Sequence, residues 1–221
     1  MAIFDAEAGW LKTLTSRIYF PGCDLMLKGE RTRQRIIAKA APLFNRRGYD
    51  GCSMQDISAA TGLEKGSLYS HFATKEELAV AAFDHAWAQT CSARAGNLDQ
   101  APNSVDKLKL HITNFVSKPS FPGGCPMLNT VLDADDGNSA LRHRAEGAMR
   151  DWVGFLADIT RAGQAKGEIR STLNPEELAI LIISLLEGAF VSSRLQRSRE
   201  ALVLAQQHLD SYLESQVRVS A

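Results

Sequence analysis

Residues 53–72 read SMQDISAATGLEKGSLYSHF, and this stretch decides the fold. Ser53 with Asp56 three positions on is close to a capping box, in which serine and acid each satisfy an unmet backbone N–H at a helix start. Ile57, Ala60 and Leu63 follow at helical spacing, and Thr61-Gly62-Leu63 reads as a tight turn. A second, shorter helix is expected over about Glu64 to Ser70. Two short helices joined by a glycine-containing turn make a helix-turn-helix. The second is small and polar at its N-terminal end, which suits entry into a major groove about 12 Å wide. Gly66 lets backbone approach DNA closely, Lys65 reaches a phosphate or a guanine edge, and Ser67 donates to either. Tyr69 and His71 place polar tips on apolar bodies, suited to flanking phosphates. Lys75 and the amides of the following helix start add a second phosphate clamp. Phe72 reads as core rather than contact. Glu64 has two readings: it caps the short helix, or it accepts from a cytosine amino group. The plainer alternative for the whole motif is a helical hairpin in a bundle. Its basic surroundings, short second helix and hydrogen-bonding exposed residues argue against that.

Working outward, nearly everything after Gly29 reads as helix. Ile36, Ile37, Ala40, Leu43 and Phe44 form one stripe, stopped by Gly48 and Gly51, with Pro42 inside. Thr74-Lys75-Glu76-Glu77 is a full capping box that opens a helix through Trp87, fading before Gly96. Val105, Leu108, Ile112 and Phe115 predict the next helix, ending near Pro119. Residues 120–126 are a Pro/Gly-rich loop, and Pro126 opens a short helix to about Leu132. Residues 133–137 read as a turn; Asp133, Asp135 and Asp136 lack the spacing and the bidentate glutamate of a calcium loop. A long helix is expected from Ser139 to Lys166. Asn174-Pro175-Glu176-Glu177 starts another, which is apolar almost all round from Leu178 to Val191. The last, about Arg199 to Gln216, carries Leu202, Ala205, Leu209 and Tyr212 on one stripe. No strand signal and no internal repeat is seen.

Composition agrees with an ordered helical chain: 221 residues, 45% hydrophobic, 23% charged. The formal charge is zero but unevenly spread. From Gly29 to Lys75 eight bases (Arg31, Arg33, Arg35, Lys39, Arg46, Arg47, Lys65, Lys75) face four acids (Glu30, Asp50, Asp56, Glu64), a net +4, which leaves −4 for the rest. That asymmetry fits a nucleic-acid module joined to something that avoids nucleic acid. Cys23, Cys52, Cys91 and Cys125 have neither metal-pair spacing nor the pattern of a disulfide framework. His85, His111, His143 and His208 form no metal or triad pattern, so no metal site and no cofactor is expected. Residues 1–28 read as a flexible extension, or as an upstream start with Met26 the true beginning. With no membrane-length apolar run, the expectation is a soluble, cytoplasmic protein.

Ala40-Ala41-x-Leu43-Phe44, Arg47-Gly48-Tyr49, Ser53-Met54-x-Asp56-Ile57, Gly62, Lys65-Gly66-Ser67-Leu68-Tyr69, His71-Phe72 and Lys75-Glu76 together resemble the DNA-binding domain of the TetR family, closely so from Arg31 to Ala79. The resemblance implies an all-α dimer of about nine helices: a helix-turn-helix DNA-binding domain over 29–75, then a helical ligand-binding and dimerisation domain over 76–221. It places DNA contacts at Ser53, Lys65, Gly66, Ser67, Tyr69, His71 and Lys75. Glu64 departs from the serine commoner there. It also implies a palindromic double-stranded DNA operator, a small-molecule inducer, and repression as the usual mode.

Two further expectations concern the C-terminal part. A helix apolar all round, followed by a one-sided one, can pair with its twin, so a homodimer is expected through about 175–196 and 199–216. Two recognition helices about 34 Å apart would then read adjacent major grooves. Residues 123–127, GGCPM, put Cys125 at a helix start whose dipole favours thiolate. They resemble a Gly-Cys subset of the family, some of whose members sense electrophiles. The other reading of Cys125 is a small residue packing a turn. Trp87, Phe115, Met127, Met149, Trp152 and Phe155 could line an apolar ligand pocket and serve equally well as core. The function expected is a transcription repressor released by a small apolar ligand, or by an electrophile or oxidant at Cys125. The alternatives are a helical thiol enzyme using Cys125, for which no base is tied to the thiol by any motif, or an architectural DNA binder without a sensor.

Overall fold

A computed structural model describes residues 28–117, 121–134 and 138–219. The expected N-terminal extension with Cys23 and Met26, the Pro119–Ser120 part of the loop, and the turn residues 135–137 lie outside them. The described residues form α1 (Lys28–Arg47), α2 (Met54–Thr61), α3 (Lys65–Tyr69), α4 (Lys75–Arg94), α5 (Ser104–Ser117), α6 (Pro126–Ala134), α7 (Ser139–Ala165), α8 (Pro175–Gln196) and α9 (Glu200–Tyr212). Nine α-helices are present among them, and the one β-type pairing is an isolated bridge between Ile169 and Arg218. The chain is all-α.

Two compact units are built from this order. Among the described residues, one draws on 28–91, 121–134 and 138–148, the other on 92–117 and 149–219. The first holds the helix-turn-helix. Ile36, Ile37 and Ala40 of α1 meet Met54 and Ile57 of α2, Leu68 of α3, then Phe72, Leu78 and Ala82, with Phe121 joining from the later segment. Pro42 lies inside α1 without ending it. Gly48 ends it, at φ +76°, donating its N–H to the Phe44 carbonyl at 2.9 Å.

Helix α6 and the turn before it dock on the end of α1 through amide groups. Asn45 Nδ2 donates to the carbonyls of Pro122 (3.0 Å) and Gly124 (3.1 Å). Asn129 Nδ2 donates in turn to the Asn45 carbonyl (2.9 Å) and the Gly123 carbonyl (3.1 Å). Asp133 Oδ2 accepts from the Tyr49 backbone N–H at 2.6 Å. A Cβ on Gly48 would collide with that Asp133 carboxylate, and its φ is one that side chains rarely adopt. Gly48→Ala is therefore expected to cost about 1–3 kcal/mol of stability, read as a lowered urea midpoint. A loss below a few tenths would mean that the turn rearranges freely.

In the second unit, α9 packs on α8 and α5. Asn174 caps α8, its Oδ1 accepting from the N–H groups of Glu176 (2.9 Å) and Glu177 (3.2 Å). Leu178, Ala179, Ile182, Ile183 and Leu186 of α8 are buried. The last helix was expected to stay α-helical to Gln216. It changes instead to a π turn over Leu213–Val217, which buries both end residues. The widened turn ends at the bridge, where Arg170 N–H donates to the Val217 carbonyl and Val219 N–H to the Glu168 carbonyl, both at 3.0 Å. Arg218 Nη2 then meets Asp106 Oδ1 at 2.8 Å.

Candidate nucleic-acid interface and buried aromatic cluster

The helix-turn-helix is held by its polar side chains as much as by its core. Ser53 Oγ accepts from the Asp56 N–H at 3.2 Å, and Asp56 Oδ2 accepts from the Ser53 N–H at 2.8 Å, completing the expected capping box. These bonds from Ser53 hold the Asp56 carboxyl down to about 2. Arg47 Nη1 reaches the same carboxylate at 2.9 Å and ties α1 to α2. Gly62 takes φ +70° and donates to the Ser58 carbonyl at 2.9 Å, while Thr61 Oγ1 donates to Ile57 O at 2.8 Å. The turn is thus fixed by the residues that predicted it.

Helix α3 follows, anchored by Leu68 (0% exposed) and by Phe72 (1%) just beyond it. Phe72 is core, and its ring carries the Arg33 guanidinium at 4.6 Å. The opposite face is open. Lys65 and Gly66 are exposed, a Cβ on Gly66 would meet nothing within 4 Å, and Tyr69 is 49% exposed. Ser67 and His71 are half-buried beside them. Lys75 Nζ lies 4.1 Å from the Tyr49 ring centroid, and Tyr49 stacks on Phe44. Ser53 is exposed but its hydroxyl is committed to the cap. At the start of α4, Thr74 Oγ1 accepts from the Glu77 N–H at 3.0 Å, as expected. Glu77 reaches one residue further back than expected, to the Ala73 N–H at 2.8 Å. Sequence reading missed the Arg47–Asp56 tie and the Lys75–Tyr49 contact; both pair residues from different elements, which periodicity does not reveal.

Of the expected pocket residues, Phe115, Trp152 and Phe155 come together in the second unit. Phe115 and Trp152 stack at 5.9 Å with 16° between planes, and His111 lies 5.6 Å from Phe155. Trp152 Nε1 donates to His111 Nε2 at 2.9 Å. Burial, and then the nearby charge of Arg94, push the His111 imidazole down to about 3, so it is neutral with its proton on Nδ1. Met149 is half-buried in the same unit. Trp87 (3% exposed), Met127 (8%) and Cys125 (1%) belong to the first unit. Cys125 precedes α6 as expected, and its thiol is buried.

The cluster also holds charges that sequence reading did not single out. Arg94 lies with its guanidinium carbon 4.1 Å from the Trp152 centroid and 4.6 Å from that of Phe115. Its Nη2 is 3.5 Å from Glu187 Oε1, and the two side chains are 3% and 10% exposed. Asn114 Nδ2 donates to the carbonyls of Arg94 (3.1 Å) and Gly96 (2.9 Å), fixing the end of α4. A basic residue in the last turn of a helix is ordinary complementarity to the helix dipole, and this hid Arg94 in the sequence.

The helix-turn-helix with its open polar face defines a DNA-binding regulator of transcription, and comparison with known proteins identifies the family. Residues 36–82 match the family described as "Bacterial regulatory proteins, tetR family", and residues 104–209 match "Tetracyclin repressor-like, C-terminal domain". A TetR transcriptional regulator of Chloroflexus aurantiacus, solved as a crystal structure, is 41% identical with a TM-score of 0.84, covering 88% of this chain and 100% of that one. A TetR-family regulator of Cytophaga hutchinsonii is 33% identical with the same TM-score of 0.84, covering 90% and 100%. The HTH-type transcriptional repressor DhaR of Mycobacterium sp. is 28% identical over 172 residues, 77% of this chain and 86% of its own. This chain belongs to the TetR family of transcription regulators.

Proposed function

We propose that this protein is a repressor that grips a palindromic operator as a homodimer and lets go when a small, largely apolar ligand binds. The observation that carries this is the open face of α3, where exposed Lys65, Gly66 and Tyr69 stand on the buried anchors Leu68 and Phe72. Ser67, His71, Lys75 and Ser53 flank that face as further contacts. Relatives named as repressors, DhaR and the ComR repressor of Escherichia coli, support the direction of control. Pairing through 175–196 and 199–216 is supported by the apolar side chains these helices leave exposed: Ile180, Leu181, Leu195, Val203 and Leu204. Helix α8 is long and apolar enough to cross a membrane, and 44% of its apolar window is buried inside the protein. A core helix with one uncovered face accounts for that composition.

For the ligand, the stacked Phe115–Trp152 pair with Phe155 offers aromatic surface, and the Arg94–Glu187 pair offers a polar anchor. Switching an operator from nearly full to nearly empty needs about 5.5 kcal/mol of ligand preference between two states. An electrophile at Cys125, or catalysis by it, would need access to a thiol that is 1% exposed, so ligand binding is the reading kept.

The test is binding to labelled DNA from the gene's own upstream region, titrated against salt and random competitor, followed by selection from a random library. Binding that resists competitor is expected, with Lys65→Ala and Tyr69→Phe each losing about 1–3 kcal/mol of affinity. Failure of the library selection to enrich any sequence would sink the reading.

A further inference from the structure

Glu64 immediately precedes α3, and the structure separates its two sequence readings. Its backbone does the capping: φ is −67°, ψ is 153°, and its carbonyl accepts from the Leu68 N–H at 3.2 Å. Its side chain makes no capping hydrogen bond and the residue is exposed. Asp56, Glu76 and Glu77 are each engaged within the fold. Asp56 binds Ser53 and Arg47, Glu76 accepts from Asn138 at 2.8 Å, and Glu77 accepts from Ala73. Glu64 enters no ion pair or side-chain hydrogen bond recorded among the described residues. Its immediate neighbours are the exposed Lys65 and the open Gly66.

An unengaged carboxylate here is a cost on any DNA, because phosphates place one negative charge about every 1.7 Å of duplex. The N-terminal residues of a recognition helix are those that meet base edges, so the carboxylate comes within reach of the groove floor. Only cytosine N4 and adenine N6 donate from that floor. Adenine presents its N7 acceptor beside N6 and is matched by a side chain that both donates and accepts, whereas a carboxylate only accepts. Cytosine N4 is therefore the partner that compensates the charge.

We propose that Glu64 is a specificity-determining residue that reads a cytosine in each operator half-site and weakens binding to DNA that lacks it. The proposal rests on α3 being the DNA-reading helix. The test is random-library selection with the full-length chain and its Glu64→Ala and Glu64→Gln variants, followed by affinities on the selected site and on random DNA. Thermal melts of all three proteins are expected to coincide, since the side chain is exposed and uncommitted. The unaltered protein should select a C·G pair at one half-site position and lose about 10- to 100-fold when it is replaced. Glu64→Ala should accept any base there with the other positions unchanged, and should bind random DNA more tightly. Glu64→Gln should move the preference towards A·T. An unaltered consensus with the same tolerance at every position in Glu64→Ala would overturn the role of Glu64 while leaving the regulator reading intact. No consensus from the unaltered chain would overturn both.

Discussion

Glu187→Ala is expected to lower the unfolding free energy by about 3–5 kcal/mol, because it removes the carboxylate that faces a buried guanidinium. Arg94 is 3% exposed and lies against two aromatic rings, so it has little room to turn to water. The ion pair itself is not a large net source of stability. Removing two charges from water costs several kcal/mol each, and a contact of 3.5 Å is longer than a close charge-assisted hydrogen bond. The double replacement Arg94→Met with Glu187→Leu should thus recover most of the loss or exceed the starting stability. Urea unfolding of the two single variants and the double checks this. If Glu187→Ala costs less than about 1 kcal/mol, the guanidinium is hydrated in solution and the buried pair is not as described.

Acid should destabilise the protein well before its carboxylates titrate. His111 is held down to about 3 in the folded state, against about 6.5 unfolded. Between those values the unfolded chain binds the extra proton, so the stabilisation is complete above about pH 6.5 and falls by about 1.4 kcal/mol per pH unit towards pH 3. His85, also lowered by burial, acts in the same direction. Asp151 and Asp210 are raised by burial and act in the opposite one, gaining stability as the pH falls through their folded values. Comparison with His111→Gln isolates the histidine, since glutamine keeps an acceptor for Trp152 Nε1. Between pH 6.5 and 5 the unaltered protein should lose about 2 kcal/mol more than the variant. Equal losses would show that His111 charges within the folded protein.

What the sequence made legible was local. Ser53 with Asp56, Thr74 with Glu77, and Asn174 with Glu176 and Glu177 announced three helix starts because each cap is built by residues within three positions. Gly48 and Gly62 marked helix ends because both need a positive φ. The open face of α3 was legible for the same reason. The sites built across elements were not. Phe115 and Trp152 were named for being aromatic, but nothing in their spacing placed Arg94 against them or Glu187 beside it. The π turn at Leu213–Val217 stayed hidden because π turns are rare and a single one is too short to set an apolar period of its own. Asn45 and Asn129, which read as ordinary polar residues, pair across 84 positions.

The first unit is assembled from two stretches of chain separated by part of the second. Phe121 completes its apolar core, and Asn129 and Asp133 secure the end of α1. During synthesis at about 5–20 residues per second, the helix-turn-helix therefore emerges seconds before the partners that finish it. A nascent chain halted after α4 would carry the DNA-reading residues on an incomplete support, and an expressed fragment ending there would inherit the same deficit. Full support of the helix-turn-helix is thus tied to translation of the later segment.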